Sequence, residues 1–395
     1  MNRKITVFHT ALLWFGAGVS MSEILAGTTF APLGIRTGTA AILLGHLIGC
    51  ILLFLAGWIG AATGKNAMET VAVSFGRKGS LPFSLLNVFQ LGGWLAILNY
   101  DGALAAGGIF ALPGWLWCLI IGVLLFIWTA LGRRMPDQVN FAAMAALFVL
   151  TVVLCIVIAG RGSLGGAAAA EQAGSISFGE AVELAAAMPV SWLPVISDYT
   201  GNAEKPGASA AVGTIVYGLV SCWMYFIGMF ASAGLGTSDI AKITLQAGIG
   251  LLGLLVILFS TVTTNYIAAN SAGVSADAAA ASLGKRLPQQ KVSLVVVGAA
   301  AAATVFFPMD NIAGFLTLIG SVFTPMAAVM IASFFIEKKR DVQEDWNVQN
   351  ILIWLAGLIL YRLLMRCQLP LGATAADALI TIGIYWVVTL IRKKK

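Results

Sequence analysis

The chain has 395 residues, of which 59% are hydrophobic and only 10% charged, with a formal net charge of +6. Soluble globular proteins hold about 45–50% apolar and about 25% charged residues, so these proportions exclude a water-soluble enzyme or binding module and point to a membrane protein. About 20 apolar residues at 1.5 Å each cross a hydrocarbon core about 30 Å thick, and runs of that length recur from end to end.

Twelve segments fit, near 9–33, 38–62, 81–109, 112–132, 139–160, 179–199, 207–233, 244–271, 291–308, 311–336, 348–366 and 374–391. The opening MNRKITVF is basic, but no small-residue cleavage site follows a short apolar stretch, so the first segment reads as a permanent helix. No soluble domain is left over. The Ala-rich runs GGAAAAEQAG and GAAAAAT read as an extracellular loop and a close-packed helix.

Placed on this frame, the basic residues fall in alternate loops. Eighteen lie on the side that holds both termini, among them Lys65, Arg77, Lys78, Lys205 and Lys339; five, Arg36, Arg161, Lys242, Arg362 and Arg366, lie opposite. By the positive-inside rule both termini are cytoplasmic, and a cell inner membrane is the expected location. The positive balance is therefore topology, and no nucleic-acid partner is implied. Cys50, Cys118, Cys155, Cys222 and Cys367 make no C-x-x-C pair and read as packing residues, and His9 and His46 are too isolated for a metal site.

Two spans carry helix breakers. The first, WFGAGVSMSEILAGTTFAPLG, has Gly16, Gly18 and Gly27 around Ser20 and Ser22, and places Glu23 near mid-membrane. A carboxylate there costs about 2.5–3.5 kcal/mol if it faces lipid. The sixth, AAAMPVSWLPVISDYT, holds Pro189 and Pro194 within one crossing, and each removes an amide donor and disrupts a regular helix. Broken backbone at membrane depth must be buried in protein or line a cavity. The breaks fall five spans apart, as in inverted-repeat transporters whose discontinuous helices meet at the midplane, so Glu23 is expected to face a central cavity.

Further polar residues lie at depths hostile to them. In NVFQLGGWLAILNYDG, Asn87, Gln90 and Trp94 share a helix face, a pattern suited to a planar heterocycle: the indole stacks on the ring and the amide reads its edge. Asp101, near that helix end, has two open readings, a partner within the protein and a functional role. In LFSTVTTNYIAANSAG, Ser260, Thr261, Thr263, Thr264 and Asn265 gather oxygen-bearing side chains within two turns. Such hard oxygen donors suit an alkali or alkaline-earth cation; back-bonding to the i−4 carbonyl is the alternative.

The ordered motifs GWIGAATG, SFGRKGS, QLGGW, SDYT, STVTTN and FLTLIGSVFTPMAAVMIASFF resemble the nucleobase-cation symporter family, which includes cytosine permease, over nearly the whole chain. The first and sixth spans are most similar to the branch thought to carry hydroxymethylpyrimidine, a thiamine precursor. The resemblance implies an all-α polytopic fold of twelve transmembrane helices with a leucine-transporter-type five-plus-five inverted repeat and discontinuous helices one and six. The repeats would be 1–160 and 161–336, with two additional helices in 337–395.

The family pattern also implies roles. Trp94 matches the ring-stacking tryptophan and Ser191 a polar residue near the substrate; the sixth-helix aromatic falls on Pro189, with Trp192 three residues later. Thr263 and Thr264 match sodium-binding hydroxyls, Ser260 a carbonyl ligand, and carbonyls near Ala17 and Ser20 would complete the shell. Gly201 stands in place of the usual basic residue after DYT, Ser333 in place of a common aspartate, and Gln90 is one residue farther from Trp94 than in cytosine permease.

The expectation is thus a secondary transporter, sodium-coupled and without organic cofactor, importing a small planar pyrimidine. Glu23, Gln90, Trp94, Pro189, Ser191, Trp192 and Asn265 are the substrate residues, with Glu23 accepting from an exocyclic amine because an ionised carboxylate is acceptor-only. A rival role for Glu23 is proton carrier. Alternative readings are a proton-coupled permease for cytosine or another nucleobase, an amino-acid carrier on the same fold, and a receptor without transport. An intramembrane enzyme is disfavoured by the absence of H-E-x-x-H, G-x-S-x-G and paired intramembrane aspartates.

Overall fold

The computed structural model describes residues 4–131, 142, 145–149, 151–153, 155–156, 176–235, 242, 245, 248, 250–309 and 311–393. Its helices are α1 (Val7–Gly18), α2 (Met21–Thr28), α3 (Ile35–Thr63), α4 (Ala67–Phe75), α5 (Leu81–Ile109), α6 (Gly114–Leu131), α7 (Phe178–Val190), α8 (Leu193–Thr200), α9 (Pro206–Leu235), α10 (Gly250–Ser282), α11 (Gln289–Phe306), α12 (Ile312–Phe335), α13 (Val348–Leu364) and α14 (Gly372–Lys393). Among the described residues, eight helices are long and apolar enough to cross a membrane, and the α1–α2 pair, bent by 48°, counts as a ninth. The shorter α13 and the split pair α7–α8 supply further spans at the expected places. Half of the fifth expected span lies outside the described residues, as do the GGAAAAEQAG loop, the boundary between the repeats, and Arg133, Arg134 and Arg161.

The first span opens where its sequence is richest in small and hydroxyl residues. α1 stops at Val19 (ψ 90°), Ser20 is extended (φ −138°, ψ 154°), and the Ser20 hydroxyl caps α2 by accepting from the Glu23 amide at 3.2 Å. The sixth span is interrupted more gently: Ser191 and Trp192 join α7 to α8 with near-helical torsions, and Pro194 (ψ 20°) departs from helix. Where α7 gives way to α8, side-chain amides of α5 bond the carbonyls of the joint. Gln90 donates to Ser191 O and Asn87 to Pro194 O, each at 2.9 Å.

One group of helices, α1, α2, α3 and α7 to α9, packs together; α5, α6, α10 and α11 form a second, with α10 lying along α5. α2 and α9 approach backbone to backbone. A Cβ on Gly27 would fall on the Tyr225 carbonyl, and one on Gly228 on the Ile24 carbonyl, so glycine is required at both crossings. Outside the spans, α4 is a short helix with no apolar run to announce it, set by an Asn66–Glu69 capping box. Nearby the loop between α12 and α13 docks on the turn before α5, where the Lys78 ammonium and the Arg77 guanidinium hold the Asp345 carboxyl below its ordinary range.

Candidate functional site

A narrow pocket forms where the two interruptions meet α5 and α10. Its lining is Ala17, Ser20 and Glu23 from the first span, Trp94 and Leu98 from α5, Met188, Ser191 and Trp192 from the sixth, and Thr264 and Ala268 from α10. The two indoles, each 8% exposed, are held from behind. Trp94 meets Phe315 edge-on at 5.4 Å, while Trp192 meets Trp14 at 5.7 Å, and Trp14 is in turn fixed by Tyr217 at 5.9 Å. Such T-shaped contacts leave faces of both pocket rings available.

Glu23 is 2% exposed. Tyr217 donates to its Oε1 at 2.9 Å and Ser221 to its Oε2 at 2.7 Å. Behind Ser221 lies His46, with Nε2 at 2.6 Å from the serine oxygen and Nδ1 at 2.9 Å from the Ile42 carbonyl. Since a carboxylate offers about four acceptor positions, two donors leave Glu23 capacity toward the pocket. Sequence reading missed Tyr217, Ser221 and His46 as a support for Glu23. They come from α9 and α3, and no local motif joins them.

On the other wall, Thr264 reaches across from α10 and donates to Gly16 O at 2.9 Å and Val19 O at 3.3 Å. These carbonyls are available because α1 ends there, and each lies one residue before the expected Ala17 and Ser20. The neighbouring hydroxyls turn back onto α10: Ser260 donates to Ile257 O at 3.2 Å, and Thr263 to Phe259 O at 2.8 Å and Ser260 O at 3.2 Å. The donor set is wholly hydroxyl and carbonyl oxygen, which fits an alkali cation and not a soft metal.

The remaining expected residues lie behind the pocket wall. Besides Ser191 O, the Gln90 amide donates to Asn87 Oδ1 at 2.9 Å, so Gln90 supports the interrupted span. Pro189 packs on Gly49 of α3. Asn265 is fully buried, and neither end of its amide has a partner among the described residues. Asp101 accepts from Ser22 at 2.6 Å, tying α5 to α2.

Comparison with known proteins agrees with this architecture. The family model described as permease for cytosine/purines, uracil, thiamine, allantoin matches residues 1–368. Cytosine permease of Escherichia coli strain K12 is 24% identical over 335 residues, covering 84% of this chain and 76% of that protein. Among solved structures, Mhp1, a nucleobase-cation-symport-1 family transporter, in a closed conformation with bromovinylhydantoin bound, superposes with a TM-score of 0.76 at 18% identity, covering 98% of this chain and 94% of that one. A Na+-coupled sialic acid symporter in a substrate-bound outward-open state gives a TM-score of 0.65 at 14% identity, covering 95% and 89%. The fold is thus the expected leucine-transporter type, with interrupted spans one and six. The chain belongs to the family of permeases for cytosine/purines, uracil, thiamine and allantoin, and is a membrane transporter rather than an enzyme.

Proposed function

We propose that the chain is a sodium-coupled importer of a small planar aminopyrimidine, with hydroxymethylpyrimidine as the favoured substrate. The observation that carries this reading is the single pocket shared by two indoles, a buried carboxylate and a hydroxyl bridging to the opened first span. In it the ring stacks on Trp94 with Trp192 on the opposite side, Glu23 accepts from the exocyclic amine, and Ser191 lies at the ring's edge. Gly16 O and Val19 O, with Thr263, Thr264 and Ser260 O, form the ion shell once Thr263 swings off its own helix. The relatives' names support the class: one is a cytosine permease, one a nucleobase-cation symporter, one Na+-coupled. The repeats are 1–160 and 161–336, and the termini lie in the cytoplasm below a cell inner membrane.

Coupling follows from shared structure. The ion ligates the extended turn at Val19 and Ser20, which also shapes the pocket, so substrate and ion raise each other's affinity by the same factor. One positive charge moving down 100 mV releases about 2.3 kcal/mol. Cytosine, which also presents an exocyclic amine, is the second reading, and a proton in place of sodium its companion.

Binding of labelled hydroxymethylpyrimidine and cytosine to the purified protein in sodium or choline decides between them. Sodium is expected to tighten binding of the true substrate, and Thr264→Val to remove that effect, so that the variant's affinities in sodium and in choline become equal. Trp94→Ala should weaken binding by about 1–3 kcal/mol, the worth of stacking on one base-like ring. Sodium-independent binding that survives both substitutions would overturn the proposal.

A further inference from the structure

Away from the central pocket, α14 carries a buried polar row. Thr374, Asp377, Thr381, Tyr385 and Thr389 follow one another at spacings of three and four, so they share one helix face. None is more than 1% exposed, and α14 packs on α12, α13 and α7. At 1.5 Å per residue the row runs about 22 Å along the helix.

The two carboxyl groups at its start are treated very differently. Glu183 of α7 accepts from the Thr374 amide and the Thr374 hydroxyl, both at 2.7 Å, and from the Tyr361 hydroxyl of α13. Its charge rests on the N-terminus of a 22-residue helix. Gly372 permits the approach, since a Cβ there would stand 2.5 Å from Glu183 Oε2. Asp377 receives nothing comparable. It is 0% exposed, and neither of its oxygens, nor the Thr381 hydroxyl one turn on, has a hydrogen-bond partner among the described residues.

Thr381 and Glu183 are the groups that Asp377 faces. Titratable neighbours from the packed elements are Glu183 on α7 and Tyr361 on α13; α12 has none, and His46 of α3 is engaged with Ser221. Among the described residues no lysine or arginine forms an ion pair with either acid. Removing an unpaired carboxylate from water costs several kcal/mol even after relaxation, and a second carboxylate alongside adds to that cost.

We propose that Asp377 and the Thr381 hydroxyl form a second cation site, separate from the central pocket, that takes up one positive charge between α14 and the helices packed on it. Sodium and a proton are the two sources of that charge. The site is independent of which substrate the central pocket carries.

The test uses the purified full-length chain without substrate. Its melting temperature is titrated with sodium chloride against choline chloride at constant ionic strength, at acid, neutral and alkaline pH. Thr264→Val, which silences the central oxygen cluster, should retain a stabilising response, to sodium if sodium loads the site and to acid if a proton does. Adding Asp377→Asn, uncharged and of the same shape, should abolish that response and hold melting near the loaded level. A response that persists in the double variant, or none in Thr264→Val alone, overturns the proposal. Should the Asp377 variant fail to fold, Thr381→Val decides: its loading midpoint should move several-fold, and an unmoved midpoint overturns the proposal.

Discussion

Glu23→Gln should lower the affinity for an aminopyrimidine by roughly ten- to a hundredfold, since a hydrogen bond to a charged group is worth about 1.5–3 kcal/mol and about 1.36 kcal/mol is a factor of ten. The fold should survive the change, because the Tyr217 and Ser221 hydroxyls that now donate to the carboxylate can rotate and accept from an amide. Glu23→Ala is a different perturbation. It takes the acceptor away from both hydroxyls, and an unsatisfied buried group costs about 1–3 kcal/mol, so this variant should also melt lower. A ligand of the same ring lacking the exocyclic amine separates the two roles of the carboxylate. If Glu23 reads the amine, that ligand binds wild type and Glu23→Gln equally well; if both ligands weaken together, Glu23 only braces α2 against α9.

The spans were legible because apolar length is a local property, and the interrupted ones because Gly, Ser and Pro act on the backbone where they stand. Local signals also marked Glu23, Trp94, Ser191 and Thr264, polar or aromatic groups at depths that lipid would not tolerate. What lay opposite them was not written nearby. His46 meets Ser221 across 175 positions, and Tyr217 meets Glu23 across 194, so His46 read as an isolated histidine. Gln90 shares a helix face with Trp94, yet spacing fixes a face without fixing the neighbour at each level: one turn along α5 the pocket has given way to the carbonyls of the sixth span. The Thr264 hydroxyl meets Gly16 O and Val19 O, each one residue before the carbonyls expected beside it, for a similar reason. Which carbonyls are freed depends on where α1 stops, at Val19, and side-chain pattern locates such an end only to within a residue or two.

Gly228→Val should be the most damaging single substitution near the site, although Gly228 does not line the pocket. A Cβ at Gly228 would land on the Ile24 carbonyl and stand 2.9 Å from the Thr28 amide; the reciprocal Gly27 lies 2.7 Å from the Tyr225 Cα by the same measure. Backbone atoms on both sides cannot rotate away as a side-chain tip would, so α2 and α9 must part. Overpacking of a closed contact typically costs about 1–3 kcal/mol, and here the upper end is expected. Parting the helices also lengthens the bonds from Tyr217 and Ser221 to Glu23, so substrate affinity should fall together with the melting temperature. Gly298→Val is the control. That glycine is exposed on α11, and a Cβ there would meet nothing within 4 Å; a surface substitution of this kind stays within about 0.5 kcal/mol. Should Gly228→Val melt and bind like Gly298→Val, α2 would not be held by this crossing, and the placement of Glu23 would need another cause.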